Sequence, residues 1–183
     1  SGGFLLDYCV INCKYMRIAN PINFIRAGWI RPEDVHFYEE VGIDSLKIVD
    51  RTRPTDAIAL VVESYDKREY NGNLMDLFPS LSRDSFFAGG NKIWRGFKYF
   101  FRPFYMNLFS IYKFARLDPK LHVYIDNCAL NGFIEHFLKI NCRSLSCKNC
   151  GYCEKVTREV VRIEPNYQRE TLAKYKDALN ALF

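Results

Sequence analysis

Four cysteines near the carboxyl end of the chain have the type and spacing of a metal-binding set. They lie within twelve residues, separated by four, two and two residues: Cys142, Cys147, Cys150 and Cys153. Two-residue gaps let neighbouring thiolates turn around one metal centre, and Gly151 favours the tight turn between the last two. Because a cubane iron-sulfur cluster takes four thiolates from such short spacings, the pattern favours a 4Fe-4S cluster on these residues.

Structural zinc is the alternative, because zinc also takes four thiolates. Zinc ribbons usually carry two separated cysteine pairs, whereas here the two-residue gaps follow one another. Disulfides suit the pattern less, because small secreted scaffolds usually spread their cysteines along the chain. Three further thiols are present, Cys9, Cys13 and Cys128. Cys9 is expected to pack in the core, and any of the three is able to replace a member of the terminal set.

The positive charge of the chain is concentrated in one aromatic segment. The 183 residues carry a net charge of +5, and between Lys92 and Lys120 seven Lys and Arg accompany a single acidic residue, Asp118. Aromatic side chains that stack on bases, interleaved with cations that bind phosphates, are typical of RNA contacts. The candidate nucleic-acid-binding residues are Lys92, Arg95, Lys98 and Arg102. The alternative is an amphipathic cover, with its aromatics on the core and its cations in water.

Nothing in the sequence predicts a membrane span or a secretion signal. No apolar run reaches the roughly twenty residues of a spanning helix, and the start lacks a basic segment followed by an apolar stretch and a cleavage site. We therefore expect a cytoplasmic protein. The leading Ser1-Gly2-Gly3 is typical of a linker remnant or of the edge of a longer protein.

Apolar periodicity predicts alternating strands and helices in the first half of the chain. The expected elements are a strand from Phe4 to Asn12, a helix from Pro32 to Val41, a strand from Ile43 to Val49 and a helix from Thr55 to Arg68. Their succession indicates an α/β fold with a parallel sheet. Charged residues at the carboxyl end of the second strand are the candidate catalytic residues, Lys47, Asp50 and Arg51. A surface ion pair is their structural alternative.

The second half is expected to be a cysteine-rich helical tail. It carries a strand from Lys120 to Ile125, a helix from Phe133 to Ile140 that ends before Cys142, and an amphipathic helix from Glu170 to Phe183. The predicted organisation is an α/β segment over residues 1–91, a basic aromatic segment over 92–120 and the metal-binding tail over 121–183.

The stretch Gly-Ile-Asp-Ser-Leu-Lys-Ile at 42–48, with Asp50-Arg51 and then Ala59 to Tyr65, resembles the collagenase-like peptidases (family U-thirty-two). The similarity extends from Trp29 to Arg68 and departs from the family pattern at Val49 and Asp50, where Glu-Gly is usual. It implies that the chain is the C-terminal part of a TIM-type barrel followed by the tail. The missing strands would come from an N-terminal barrel segment or a companion chain, so an oligomer is an expected state.

The resemblance also implies two kinds of activity. Some members of the family are peptidases, and others are iron-sulfur hydroxylases that act on RNA or on ubiquinone precursors without molecular oxygen. Three functions are therefore carried forward: iron-sulfur redox or hydroxylation chemistry on RNA or a small aromatic substrate, peptide hydrolysis, and a zinc-stabilised nucleic-acid-binding module. The sequence contains neither HExxH nor GxSxG, so the peptidase hypothesis has no recognised catalytic motif to support it.

Overall fold

The computed structural model describes residues 3–48, 54–78 and 121–180. Its helices are α1 Gly3–Ala19, α2 Ile22–Ile25, α3 Val35–Glu40, α4 Thr55–Lys67, α5 Leu74–Leu77, α6 Phe133–Lys139, α7 Cys147–Cys150, α8 Tyr152–Val160 and α9 Pro165–Asn180. Strands β1 Val123–Ile125 and β2 Val161–Ile163 pair, and 3-10 turns cover Pro32–Asp34 and Cys128–Leu130. The described residues form two compact units: 3–23, 121–122 and 163–180 in the first, and 24–48, 54–78 and 123–162 in the second.

The first unit is built on the packing of α1 against α9. Ile11 and Ile18 of α1 are buried seven residues apart, two helical turns along one face, and Tyr175 of α9 is buried as well. The side-chain amide of Gln168 donates a hydrogen bond to the Ile18 carbonyl at 2.8 Å. Two long helices therefore bury one apolar stripe each and form a helical pair.

The predicted strand from Phe4 to Asn12 is wrong, because these residues lie within α1. A short apolar run does not distinguish a strand from a buried helix by periodicity alone. What decides is the continuation of the pattern to Ala19, since Ile11, Lys14 and Ile18 follow helical spacing and are all buried. Seventeen residues in one element favour a helix over a strand.

The terminal helix was predicted from Glu170 and begins five residues earlier, at Pro165. Proline is well suited to the first helical position. The Glu164 carboxylate accepts hydrogen bonds from the backbone N–H groups of Asn166 and Tyr167. Both bonds lower the pKa of Glu164, because they favour its charged form. The acidic residue before the proline thus caps the helix.

Strand β1 forms part of the core of the second unit. Val123 and Ile125 are buried while Tyr124 between them is exposed, the alternation expected of a half-buried strand. Asn73 connects this strand to α5: its Nδ2 donates to the Val123 carbonyl, and its Oδ1 accepts from the N–H groups of Ile125 and Met75. The strand predicted from Lys120 to Ile125 is confirmed at its carboxyl end.

The two helices predicted on either side of Gly42 are confirmed. Pro32 opens a 3-10 turn that continues into α3, and Gly42 follows the helix with a φ of 90°, a conformation that glycine adopts without strain. Helix α4 covers the predicted range and ends at Arg68, which adopts a left-handed conformation with a φ of 55°. The start and stop signals in the sequence therefore located the first helix, and apolar residues at helical spacing located the second.

The predicted strand from Ile43 to Val49 is not formed over 43–48, where the backbone has no regular secondary structure and every residue is exposed. A strand is stabilised by backbone hydrogen bonds to a neighbouring strand. None of the described elements supplies that neighbour, since the sheet within the described ranges contains β1 and β2 alone. The apolar side chains of Ile43, Leu46 and Ile48 are consequently left exposed.

A buried arginine joins the segment before α3 to the turn that leads into α6. The side chains of Arg31 and Asp34 are 1% and 4% exposed and form a bidentate ion pair. Arg31 Nε donates to Asp34 Oδ2 at 2.8 Å, and Arg31 Nη2 donates to Asp34 Oδ1 at 2.7 Å. Arg31 Nη1 also donates to the Asn127 carbonyl at 2.8 Å and to Asn131 Oδ1 at 3.0 Å. Four donations from one side chain thus fix the start of α6.

Asn127 completes this polar network. It is fully buried, and its Nδ2 donates to Glu33 Oε1 at 2.8 Å and to the Tyr70 carbonyl at 2.7 Å. The Tyr70 N–H donates to the same Glu33 oxygen. These paired groups set the mutual arrangement of three chain segments within the second unit. Asn127 Oδ1 and Glu33 Oε2 are buried without a hydrogen-bond partner among the described residues.

The described residues are mostly helical and contain one small two-stranded sheet. The α/β fold, the TIM-type barrel and the position of the chain at its C-terminal end therefore stay predictions. Over the same residues, no helix combines the length and the apolar character that crossing a bilayer requires.

Candidate metal centre

The cysteine segment begins in a turn directly after α6, whose end at Lys139 confirms the helix predicted from Phe133 to Ile140. Asn141 organises the turn: its Oδ1 accepts from the Arg143 N–H at 2.9 Å, and its carbonyl accepts from the N–H and hydroxyl of Ser144. Side chains of this type stabilise turns by bonding to the backbone two residues onward. Cys142 is therefore presented on an exposed turn.

The next two cysteines lie at the two ends of α7. Ser146 caps this helical turn, with its hydroxyl accepting from the Lys148 N–H at 3.3 Å and its carbonyl accepting from the N–H groups of Asn149 and Cys150. The Cys147 carbonyl accepts from the Gly151 N–H at 3.0 Å. The two-residue gap between Cys147 and Cys150 thus closes one helical turn, as the spacing predicts.

Gly151 separates α7 from α8 and reverses the local backbone. Its φ is 61°, in the left-handed region, and it serves both as the end of α7 and as the residue before α8. A side chain at this position would be strained whatever the surrounding space. The glycine allows Cys153 to lie in the first turn of α8, so the last two cysteines belong to different helices.

All four thiols of the segment are reduced and accessible to some degree. Cys142 and Cys147 are exposed, and Cys150 and Cys153 are half-buried. Burial raises the pKa of the Cys153 thiol, the nearby Arg26 opposes this rise, and Cys142 and Cys147 raise the pKa further.

The four cysteines supply the type and number of donor atoms that a four-thiolate centre requires, but their thiols do not converge on one point. Among the described His, Cys, Asp and Glu side chains, no three are arranged to hold a metal ion. Metal binding commonly completes the folding of such a site, because a preformed arrangement of ligands repels itself once the thiols ionise.

An aromatic stack anchors the cysteine segment to α6. Tyr152, between the last two cysteines, stacks on His136 with ring centroids 3.5 Å apart and on Phe133 at 5.8 Å. Phe133 stacks in turn on Trp29 at 5.4 Å, and Phe137 packs edge-on against both Phe133 and Tyr152. His136 is therefore a packing residue in this arrangement. The spacing of Phe133, His136 and Phe137 on one helical face was the sequence signal for this cluster.

The other candidate residues are less well defined. Lys47 is exposed in the irregular stretch 43–48, whereas Asp50 and Arg51 lie outside the described residues. The structure therefore does not test whether these three residues meet. The basic segment 92–120, with Lys92, Arg95, Lys98 and Arg102, also lies outside the described residues.

The three spare cysteines have separate positions. Cys9 falls within α1, and Cys13 is exposed on the same helix. Cys128 is exposed in the second unit, and its thiol donates to Asn71 Oδ1 at 3.4 Å. Among the described groups, neither Cys13 nor Cys128 takes part in a set of three potential metal ligands.

Comparison with known proteins yields one informative similarity. The chain is 25% identical over 158 residues to an uncharacterized protease of Methanocaldococcus jannaschii, and the alignment covers 86% of this chain and 36% of the relative. The chain thus spans about a third of the length of that protein. No protein-family model matches the chain, and no solved structure matches it significantly.

The similarity is consistent with the motif at 42–65. A relative named as a protease aligns with most of the chain, including the region from Trp29 to Arg68 where the family pattern was recognised. The alignment extends well beyond that motif. At 25% identity to a protein named as a protease, this comparison supports the predicted relationship of the chain to a peptidase family.

Proposed function

We propose that this chain is part of an iron-sulfur protein related to the collagenase-like peptidases. In this proposal Cys142, Cys147, Cys150 and Cys153 bind a 4Fe-4S cluster that supports oxygen-independent redox or hydroxylation chemistry. The observation that carries it is the placement of four free thiols on one short segment, in which a turn carries Cys142, α7 carries Cys147 and Cys150, and α8 carries Cys153. When bound, such a cluster supplies electron transfer.

The chain's own residues hold the segment in place and shield one side of it. Tyr152 inserts between His136 and Phe133, so the loop from Cys150 to Cys153 is packed against α6 rather than free in water. Cys150 and Cys153 are half-buried on that side. Burial of ligand sulfurs is among the protein's means of tuning a cluster, and it is present at this end of the segment.

The substrate in this proposal is RNA or a small aromatic molecule, and RNA would be bound by the basic segment. Its four candidate contacts, Lys92, Arg95, Lys98 and Arg102, precede further aromatic and basic residues. Phosphate contacts of this type release counterions, so RNA binding through them weakens as salt rises. A cytoplasmic location is part of the same proposal and rests on the sequence alone.

Peptide hydrolysis is the second candidate, because the relative is named as a protease. Lys47, Asp50 and Arg51 are the residues proposed to act in it. Peptide hydrolysis requires an activated nucleophile or a metal-bound water.

The third candidate is a zinc-stabilised module that binds nucleic acid. A zinc ion on the four cysteines would indicate this module rather than a peptidase, because four thiolates fill the coordination of zinc and leave no position for water.

An additional segment or companion chain is also part of the proposal. The stretch 43–48 exposes Ile43, Leu46 and Ile48, and the flanking Val41 is 75% exposed. Apolar side chains grouped in this way commonly mark a contact with another chain or segment. Because the aligned region is 36% of the relative's length, we propose that an N-terminal barrel segment, or a companion chain in an oligomer, covers this stretch.

Two measurements on the anaerobically purified chain test the proposed activity against its alternative. Dithionite is expected to bleach the visible absorption of the protein reversibly, because the cluster accepts an electron. A labelled peptide library is expected to remain uncleaved under the same conditions. Cleavage of the library by a protein with no reducible chromophore would contradict the redox proposal and favour the peptidase.

A further inference from the structure

Residues 138–149, which run from the last turn of α6 into α7, form an exposed loop that we call the cationic loop. The chain enters and leaves this loop at one place, because the rings of His136 and Tyr152 stack with their centroids 3.5 Å apart. Every residue of 141–149 is exposed. The hydrogen-bonded turn and the capped helical turn described above order its backbone. The loop is therefore an ordered excursion of the second unit that presents its side chains to solvent.

The charged side chains of the cationic loop are all positive. It carries Lys139, Arg143 and Lys148, and the sequence has no Asp or Glu between Glu135 and Glu154. Several exposed cations elsewhere are ion-paired with a neighbouring glutamate. Within the described part of the chain, the three cations of the loop have no carboxylate partner of this kind. Their charge is consequently available to an anionic partner.

The same loop exposes two leucines. Leu138 is 64% exposed and Leu145 is 44% exposed. Large apolar side chains left in water commonly mark a contact with a protein or a membrane. Their combination with cations fits the interface of an anionic bilayer, because apolar groups insert at the level of the acyl chains while cations stay at the headgroups.

Single-stranded RNA is the alternative polyanion, and the rings beside the loop fit it less well. Surfaces that bind single-stranded RNA offer ring faces on which bases stack. Here Tyr152 stacks on both His136 and Phe133, and Phe133 stacks on Trp29. These rings are engaged with one another within the protein. The most exposed apolar side chains of the loop are leucines, which have no planar face to offer a base.

We propose that the cationic loop binds the surface of a bilayer containing anionic phospholipids, with its two leucines inserted at the interface and its three cations at the headgroup phosphates. Such binding is peripheral and requires no membrane-spanning helix. The inference goes beyond the proposed function and does not require the metal centre. Because attraction between the cations and the headgroups is screened by ions, salt weakens the binding.

The test is cosedimentation of the chain with vesicles of phosphatidylglycerol and phosphatidylcholine, and with vesicles of phosphatidylcholine alone. The wild type is expected to bind the first kind and not the second. Arg143→Gln/Lys148→Gln is expected to bind the anionic vesicles about thirtyfold more weakly, since each cation near such a surface contributes about fivefold. Leu138→Gln/Leu145→Gln is expected to bind at least about tenfold more weakly, because the inserted apolar groups are lost.

Each loop variant has a matched control. Lys67→Gln/Lys174→Gln removes the same charge from exposed positions outside the loop, and Leu46→Gln replaces an exposed leucine of the stretch 43–48. Both controls are expected to bind vesicles as the wild type does. The two loop variants remove different contributions, one electrostatic and one apolar, so each tests the proposal by itself.

Three results would overturn the inference. They are equal binding of the wild type to both kinds of vesicle, unchanged binding by both loop variants, and binding of poly(U) in place of vesicles, which would assign the loop to nucleic acid. Iron measured in the same samples keeps the metal centre separate. Vesicle binding by an iron-free chain would support the role of the loop and contradict the proposed cluster, whereas an iron-loaded chain that ignores anionic vesicles would do the reverse.

Discussion

Replacing Cys150 with serine is expected to reduce the iron content of the anaerobic protein to near zero. The hydroxyl is a poor substitute for a thiolate, and the site would lose one of its four ligands. Because metal binding and local folding are coupled at such sites, protection of the α7–α8 segment from proteolysis should fall as well. Iron analysis and limited proteolysis of the purified variant measure the two effects.

Cys13→Ser is the control for this experiment. Cys13 is also an exposed, reduced cysteine, but it lies on α1 in the first unit. The control is expected to retain its full iron content. Full iron retention in Cys150→Ser, or iron loss in Cys13→Ser, would show that the ligand set differs from the four cysteines of the tail.

Asp34→Ala is expected to lower the free energy of unfolding by about 3–5 kcal/mol, the effect of breaking a buried ion pair by removing one partner. The substitution leaves the Arg31 guanidinium, in a side chain that is 1% exposed, without its carboxylate. Arg31 also holds Asn127 and Asn131 at the entrance to α6, so the cysteine segment should loosen at the same time. Urea denaturation of both proteins gives the difference.

Glu39→Gln provides a matched pair on the surface. Glu39 also makes a bidentate ion pair with an arginine, Arg68, but both side chains are about half exposed. Solvent screens such pairs, so this variant should unfold at nearly the same urea concentration as the wild type. If Asp34→Ala were as mild as Glu39→Gln, the Arg31 network would not contribute to stability as we infer.

Local signals in the sequence were sufficient where an element carries its own start, stop and apolar face. Pro32 and Gly42 bracket the first predicted helix, and Thr55 to Arg68 carries apolar residues at helical spacing; both helices are present. Asn73 shows the limit of such signals. It caps α5 locally but also bonds to Val123 and Ile125 about fifty residues away, and no local pattern encodes that contact.

Two of the three strand predictions failed, for different physical reasons. Phe4 to Asn12 is apolar enough for either element, and the packing of α1 on α9 favours the helix. The stretch 43–48 has the composition of a strand, but a strand requires a partner and none of the described elements provides one. The second failure is therefore compatible with a strand that forms only when the proposed barrel segment or companion chain is bound.

The cysteine segment of the candidate site was predictable from the sequence, whereas the residues around it were not; its role as a ligand set stays a prediction. The four cysteines lie within one short stretch of the sequence, and the structure places them on one segment. Arg31 was not recognised, because it acts through Asn127 and Asn131, roughly a hundred positions away in the sequence. Most arginines are exposed, and a buried arginine has no signature in the local sequence.

We propose above all that the four tail cysteines bind one cubane cluster. The most direct test is to purify the wild-type chain without oxygen, measure its iron, acid-labile sulfide and zinc content, and record its absorption spectrum. The account predicts about four irons and about four sulfides per chain and a broad absorption near about 400 nm. One zinc per chain with neither iron nor sulfide would contradict it.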